Sequence, residues 1–438
     1  MKKVEISNSR KRFDYKWVIV IACFTMVFIC LGFCNSTKSL FLPAITGALG
    51  IERTIYSITE SLRFIANSIV NIFFGMHVKK FGARKLIAAG FLSLIISMLL
   101  FAVAPYIWIF YLGGIFLGIG LSWTTTAMVG YVVNKWCKEN KGTIMGAVLA
   151  ASGLGGALST QIVSPIINQE GNPFGYRNAY LLIAAILAVS GAVIVAVFRN
   201  SPKNKPLGEE VEVKKKRRGR DWSGISFSDA IKKPYFWLVC VCIFLSGFVL
   251  QGVAGIVAAH MYDVGLEKDY VSYVLSLSWI VLAAFKFLTG FVYDKLGLRI
   301  TNSICTMGTV LTAITLAFLT NSTAGKILAL AYPIFSSMAF PLETVMLPIY
   351  VNDFFGEKSY EKMLGIFVSI NVAGYALGVP AVNICYDLLG SYKISLIISA
   401  SLGALVFLLM QVIISMSNRE RKRICEAEKA EKTLVENV

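Results

Sequence analysis

Long apolar segments alternate with short polar ones along nearly all of the 438 residues of the chain. The apolar segments run for about 20 residues or more, which is the length of a helix that crosses a bilayer. Membrane β-strands are shorter, about 10 residues, and alternate with a period of two. The pattern therefore predicts twelve membrane-spanning helices, at 17–40, 54–78, 85–104, 107–134, 142–168, 177–198, 234–262, 269–293, 300–319, 326–350, 360–388 and 393–416.

The predicted spans fall into two sets of six. The expected fold class is an all-α polytopic membrane protein with twelve transmembrane helices in two six-helix halves. The predicted parts are a cytoplasmic N-terminus (1–16), an N-terminal six-helix bundle (17–198), a cytoplasmic linker (199–233), a C-terminal six-helix bundle (234–416) and a cytoplasmic tail (417–438). The basic run 214–220 in the linker is either a solvated segment near anionic lipid or a regulatory contact.

The composition supports a membrane protein. Hydrophobic residues make up 56% of the chain and charged residues 15%, whereas soluble domains carry about 25% charged residues. The net charge of +17 would suit a nucleic-acid partner. Most of the 42 lysines and arginines, however, lie in segments on one side of the predicted spans, and five lie on the other: Arg53, Arg177, Lys268, Lys326 and Lys393.

This asymmetry is the positive-inside bias, which predicts a multi-pass cell-membrane protein with both termini cytoplasmic. It explains the charge without a nucleic-acid partner. The basic stretch before the first span leads into a full-length apolar run, so we expect a first helix and no cleavable signal peptide.

The sequence offers little for an enzyme. The two histidines, His77 and His260, lie far apart, and the cysteines have no metal-ligand or redox spacing. We therefore expect no metal and no cofactor. A membrane sensor is a further alternative, but it would need a folded soluble domain, for which the linker and tail are short.

Two short stretches repeat the same frame half a chain apart. Both close the second span of their set, and both carry two glycines and a basic end, at 75–85 and 290–299. A duplicated basic turn in an apolar chain indicates two fused halves of a membrane carrier.

At these turns the chain resembles the major facilitator superfamily, whose loop between helices 2 and 3 carries such a motif and serves as a gating element. The residues of the first copy that match are Gly75, Lys80, Gly82 and Arg84. Those of the second copy are Gly290, Asp294, Lys295, Gly297 and Arg299. Lys79 stands where the family has an acid, which puts the gate contact of the first half in doubt.

Three further regions, 135–156, 233–237 and 387–392, resemble the oxalate/formate antiporters and the monocarboxylate transporters. Both families carry a cation four residues before the glycine that matches Gly290. In this chain that residue is Lys286, and the resemblance implies that it contacts the substrate carboxylate. The alternative for Lys286 is an ion pair with Glu343. Trp279, two helical turns earlier, either lines a cavity or packs against lipid.

Other charged residues also lie within predicted spans, where each costs about 2.5–3.5 kcal/mol on insertion scales. Lys38 resembles a substrate-binding lysine of monocarboxylate transporters, or it is an interfacial lysine at the outer end of span 1. Arg63 is a candidate substrate ligand on a polar helix face with Glu60, or the two neutralise each other. Glu343 is a candidate proton carrier, because burial disfavours an ionised carboxyl group.

These features predict a secondary active transporter for a small organic anion, by proton symport or anion exchange. Span 11 lacks the interior cation that oxalate-type antiporters carry, so we expect a monocarboxylate such as formate, lactate or pyruvate. The expected partners are this substrate, protons or a counter-anion, and the lipid bilayer, with the protein monomeric. The alternative is drug or amphiphile efflux, although that family often has an arginine in span 4, where this chain has none.

Overall fold

The computed structural model describes residues 15–137, 141–169, 171–200, 224–356, 358 and 360–436. Every regular element in these ranges is a helix. Ten helical segments are long and apolar enough to cross a membrane. One of them, Lys268–Ala317, bends at Gly297 into two helices, and the more polar stretch 53–81 crosses between its neighbours. The described chain thus runs twelve times through the bundle, as predicted.

Nine helices form the N-terminal half, which we define as residues 15–200. They are α1 (Tyr15–Cys34), α2 (Lys38–Leu49), α3 (Arg53–Ile72), α4 (Phe74–Phe81), α5 (Ala83–Val103), α6 (Ile107–Thr124), α7 (Thr126–Trp136), α8 (Lys141–Ile167) and α9 (Gly175–Val197).

Nine more form the C-terminal half, residues 224–436. They are α10 (Phe227–Ala230), α11 (Pro234–Asp263), α12 (Lys268–Ala317), α13 (Thr323–Ala329), α14 (Tyr332–Ala339), α15 (Pro341–Thr344), α16 (Met346–Phe355), α17 (Tyr360–Leu389) and α18 (Lys393–Glu436). Residues 1–14 of the predicted N-terminus and the basic run 214–220 lie outside the described residues, so the assignments of the N-terminus and the linker stay predictions, although helix α1 already begins at Tyr15.

The first span is longer than predicted and is broken in the middle. Helix α1 ends at Cys34, the backbone N–H groups of Asn35 and Ser36 both bind the carbonyl of Leu31, and α2 then continues to Leu49. The predicted end at residue 40 is wrong because the polar run 35–39 resembles a membrane boundary. Lys38 therefore lies within the bundle and not at the outer end of the span.

The duplicated motif forms two matching turns. Gly82 (φ 78°, ψ 156°) and Gly297 (φ 77°, ψ 177°) occupy the same left-handed region, which favours glycine. The other glycine of each copy, Gly75 or Gly290, is helical, and no atom lies within 4 Å of where its β-carbon would be. The turn is thus located at the second glycine, and the first has open space around it.

In the described ranges the two halves meet at mid-depth and towards one end. We call the end with Gly82 and Gly297 the inner end and the opposite one the outer end. Within the described ranges, the hydrogen bonds that cross between the halves lie at mid-depth or nearer the outer end. They join Lys38 to Gln251, Arg53 to Asp263 and Tyr392, Arg53 and Thr54 to Asp387, Ser61 to Ala376, Gln161 to Ser276, Asn168 to Tyr262, Thr160 to Ser272, and Ala157 to Ser276.

Hydrophobic packing follows the same division. The larger buried cluster joins the N-terminal half to the outer parts of α11, α12 and α17, whereas the smaller one lies within the C-terminal half towards its inner end. The bundle is therefore closed at the outer end, and in the described residues no hydrogen bond joins the halves at the inner end.

Candidate functional site

The break in the first span brings a polar cluster into the middle of the N-terminal half. Arg63 of α3 is 4% exposed. Its Nη2 donates to Oε2 of Glu60 at 2.6 Å, and its Nη1 donates to Oδ1 of Asn35, inside the break, at 2.9 Å. The ion pair between Glu60 and Arg63 is one of the two arrangements that the sequence left open.

Lys38 extends this cluster to the C-terminal half. Its Nζ lies 3.5 Å from the same Oε2 of Glu60 and donates to Oε1 of Gln251, on α11, at 2.9 Å. Gln251 in turn donates from Nε2 to Oε2 of Glu343 at 2.8 Å. A continuous hydrogen-bonded chain thus runs from Arg63 to Glu343 and crosses the two halves at Lys38 and Gln251.

An aromatic side chain supports the cations. The Cζ of Arg63 lies 4.1 Å, and the Nζ of Lys38 5.4 Å, from the ring centre of Phe64, within the range of cation–π attraction. Phe64 also contacts Tyr375 of α17, with ring centres 5.1 Å apart. Lys38 and Arg63 are therefore held by partners on several sides.

Glu343 lies on α15, a helix of only four residues within the broken tenth span. Its Oε2 is held by Gln251, but its Oε1 is buried and has no hydrogen-bond partner. A buried acceptor without a partner is energetically costly. A proton on this oxygen would remove the uncompensated charge.

Lys286 of α12 differs from the other two cations. It is half-buried, and among the described residues no hydrogen bond or ion pair occupies its ammonium group. Glu343 acts on it through space without a direct contact. The ion pair between Lys286 and Glu343 that the sequence left open is thus not formed here.

Trp279 faces the other half and not the lipid. A β-carbon on Gly156 of α8 would lie 2.8 Å from Cγ of the indole, and one on Gly153 would lie 2.6 Å from the carbonyl oxygen of Trp279. The two glycines therefore form a notch that receives Trp279 where the halves meet.

The central charges do not balance. Three cations (Lys38, Arg63 and Lys286) stand against two carboxylates (Glu60 and Glu343). Protonation of Glu343 would widen the excess of positive charge. A site with one unpaired cation and a surplus of positive charge is chemically suited to a small anion.

The sequence profile of the Major Facilitator Superfamily matches residues 23–347 and 239–437 of this chain, which together span almost all of it. The chain belongs to the Major Facilitator Superfamily. It is therefore a transporter of this superfamily and a multi-pass membrane protein.

Curated relatives agree with this assignment. An uncharacterised MFS-type transporter of Bacillus subtilis, YcxA, is 26% identical over 291 residues, which are 65% of this chain and 66% of that protein, just under two thirds of its length. Multidrug resistance protein 2 of Bacillus subtilis is 24% identical over 74% of this chain and 78% of its own. The sialic acid transporter NanX of Escherichia coli is 20% identical over 84% of this chain and 87% of its own.

Solved structures of the superfamily share the fold. The nucleoside transporter NupG has a TM-score of 0.71 with 14% identity and covers 90% of this chain and 98% of its own. A bacterial homologue of the human lysosomal transporter Spinster, in an inward-facing and unoccupied conformation, has a TM-score of 0.72 with 14% identity and covers 94% and 99%. None of the proteins named here is an oxalate/formate antiporter or a monocarboxylate transporter, so that finer resemblance stays a prediction.

The superfamily motif makes its described contacts within each half. Arg84 donates from its backbone to Asn200, which follows α9, and from Nε to Val195. Arg299 donates to Ser415 of α18. In the described chain Asp294 and Lys79 are exposed and make no hydrogen bond or ion pair. The Nζ atoms of Lys80 and Lys295 lie over the rings of Phe81 and Phe291.

Three uncharged residues of the centre were missed from the sequence: Asn35, Gln251 and Tyr375. Amide and phenol side chains carry no charge, so the cost of a charge within a membrane span does not single them out. The polar run 35–39 is a signal of the break, but its low hydropathy is equally typical of the end of a span. Gln251 stood out only as an amide in the apolar span 234–262.

Proposed function

We propose that this superfamily member is a secondary active transporter that moves a small organic anion, a monocarboxylate such as formate, lactate or pyruvate, by alternating access. The observation that carries the proposal is the unpaired ammonium group of Lys286. A half-buried cation without a counter-ion attracts an anion more strongly than one in bulk water does, because the surrounding dielectric is lower.

A single available cation favours a single negative charge on the substrate. Lys38 and Arg63 are each engaged with Glu60, and the interior of α17 carries no cation. A dicarboxylate would leave its second carboxylate without a partner, which is costly at mid-membrane. The predicted roles of Lys38 and Arg63 in substrate binding therefore become indirect: they set the positive potential at the site.

Glu343 is proposed as the proton carrier. Its Oε1 has no partner, and its ionised form would compete electrostatically with an anion for Lys286. Protonation of Glu343 would leave Lys286 to the substrate, which couples anion binding to a proton. Without this step the same site supports anion exchange.

The conformation fits alternating access. The halves are joined at the outer end, and in the described residues no hydrogen bond joins them at the inner end, which the positive-inside bias assigns to the cytoplasm. A relative named a sialic acid transporter handles an organic acid, as its name states, which supports an acidic substrate class.

Counterflow in proteoliposomes tests this function. Purified protein is reconstituted and loaded with unlabelled formate, lactate, pyruvate, oxalate or malonate, and the entry of labelled anion is followed. We expect exchange of the monocarboxylates. A strong preference for oxalate would overturn the single-charge argument, and exchange of none of the five would overturn organic-anion transport of this class.

Drug or amphiphile efflux is the second candidate. The observation that favours it is the relative named multidrug resistance protein 2. Resistance profiling of an overexpressing strain tests it, with Lys286→Ala as the comparison. Resistance that does not depend on Lys286 would favour efflux over anion transport.

A further inference from the structure

Gln251 of α11 links the charged groups of the two halves. Its Oε1 accepts a hydrogen bond from Nζ of Lys38 at 2.9 Å, and its Nε2 donates to Oε2 of Glu343 at 2.8 Å. Together with the contact of Lys38 to Glu60, these two bonds form a continuous polar connection between Glu60 and Glu343 in the part of the chain that the structure describes.

The two partners fix the orientation of the Gln251 amide. An ammonium group can only donate hydrogen bonds, and an ionised carboxylate can only accept them. The opposite orientation would place the amide NH₂ group against Lys38 and the amide oxygen against Glu343. Gln251 therefore contacts both charged groups, and only one orientation of its amide forms hydrogen bonds with both of them.

The position of Glu343 depends on this contact. Its segment, Pro341–Thr344, is joined to α14 and α16 by Phe340 and Val345, which also have helical dihedral angles, so the backbone places the side chain and Gln251 orients its carboxyl group. Gln251 occupies Oε2 and leaves Oε1 buried without a partner. A proton can be added to Oε1 without displacing an existing hydrogen bond.

We propose that Gln251 is the positioning residue that couples the proton on Glu343 to the N-terminal half. It binds Oε2 of Glu343 and leaves Oε1 for the proton. Because it also binds Lys38, a change in the charge of Glu343 affects the hydrogen bond to Lys38. Hydrogen bonds to a charged group are roughly twice as strong as neutral ones, so protonation of Glu343 loosens the C-terminal end of this link. The inference rests on the proposed anion transport.

Several other groups face Glu343. Lys38 and Lys286 act on it electrostatically, the hydroxyl group of Tyr375 on α17 interacts with its carboxyl group, and Glu60 and Arg63 act through Lys38. Replacement of Gln251 leaves all of these groups in place. A change in proton coupling can then be assigned to the lost positioning of Glu343.

The test compares two transport modes of the same proteoliposomes with labelled lactate. Counterflow needs no net proton movement, whereas uptake driven by a pH gradient does. For Gln251→Leu we expect counterflow within about threefold of the unmodified protein, and gradient-driven uptake reduced about tenfold, the effect of one lost charge-assisted hydrogen bond. Gln251→Glu keeps the size and the contact to Lys38, but two adjacent carboxyl groups share one proton and do not both ionise. A second proton is then needed to remove the negative charge beside Lys286, so gradient-driven uptake should fall and the pH profile of counterflow should shift towards acid.

Gln161→Leu is the matched control. Gln161 also bonds across the halves, from Nε2 to Ser276 Oγ at 2.8 Å, but among the described residues it makes no hydrogen bond to a charged group. The ratio of gradient-driven uptake to counterflow in Gln161→Leu should equal that of the unmodified protein. Elution as a single peak in size-exclusion chromatography verifies folding, and Gln251→Glu carries the test if Gln251→Leu fails to fold.

The outcomes separate the two proposals. An unchanged ratio in folded Gln251→Leu or Gln251→Glu overturns the role of Gln251. Counterflow without any gradient-driven uptake in the unmodified protein overturns it as well, since there is then no proton coupling. Absence of counterflow with every carboxylate in the unmodified protein overturns the proposed function instead.

Discussion

Arg53 and Asp263 form a bidentate ion pair that joins the two halves at the outer end of the molecule. Nη1 and Nη2 of the guanidinium lie 2.5 and 2.8 Å from the two carboxylate oxygens. Asp387 accepts hydrogen bonds from the backbone N–H groups of Arg53 and Thr54, at the N-terminus of α3, where a negative charge is stabilised. Tyr386 stacks on the guanidinium at 3.9 Å. The outer closure is therefore held by charge-assisted contacts between the halves.

Asp263→Asn should open the outer end. Such contacts are worth about 1.5–3 kcal/mol each, or roughly ten- to hundredfold in an equilibrium. The reporter is Ser276→Cys, a buried position at the interface between the halves, in a background without the nine native cysteines. The measurement is the rate at which an impermeant maleimide labels this cysteine. Labelling should rise about tenfold or more. Glu267→Gln, which breaks an ion pair with Lys326 within one half, should leave it unchanged, and equal rates in both variants would contradict the account.

The contact between Trp279 and the two glycines of α8 makes a paired prediction. An alanine at Gly156 meets the indole ring, whereas an alanine at Gly153 meets the backbone carbonyl of Trp279. Both should disturb outer closure and raise the same labelling rate. Trp279→Ala should restore part of the closure to Gly156→Ala, whose new β-carbon would also lie 2.7 Å from Oγ of Ser36, but none to Gly153→Ala. Equal rescue of both variants would show that the notch is formed differently.

The glycines of the duplicated turn should differ in their effect on stability. Gly82→Ala places a side chain at φ 78°, which costs about 1 kcal/mol or more. Gly75 is helical with open space around it, so Gly75→Ala should leave the unfolding temperature in detergent unchanged or slightly raised. Scanning fluorimetry compares the two variants. A lower unfolding temperature for Gly75→Ala than for Gly82→Ala would contradict the account, because it would show that the turn requires glycine at 75 and not at 82.

Removal of Glu60 should destabilise the protein. Glu60→Gln leaves Lys38 and Arg63 without their shared carboxylate, and breaking a buried pair costs about 3–5 kcal/mol. The double variant Glu60→Gln/Arg63→Gln removes one stranded charge as well and should unfold at a higher temperature than the single variant. If the single variant is as stable as the unmodified protein, the cluster is not a structural network.

The sequence predicted the helical fold and the two turns because both depend on local signals, namely apolar length and glycines that allow positive φ. It placed Lys38 wrongly because the polar run 35–39 lowers hydropathy where α1 breaks inside the bundle. Charged residues within spans were also evident, since each is costly in lipid.

The pairing of these residues could not be predicted. Lys38 and Gln251 are 213 positions apart, and no local pattern encodes which residues of two helices meet when two halves pack. Which end of the bundle is closed depends on a small free-energy difference between two arrangements of the same helices. Periodicity and composition do not contain that difference.

Equilibrium binding of labelled lactate to purified protein tests the central claim, that the unpaired ammonium of Lys286 binds the substrate anion. Lys286→Ala should lower the affinity at least about tenfold, because it removes a charge-assisted contact, while Lys286→Arg keeps the charge and should retain part of it. Lys268→Ala, an exposed lysine at the start of the same helix, should bind like the unmodified protein. Unchanged lactate affinity in folded Lys286→Ala would contradict the account.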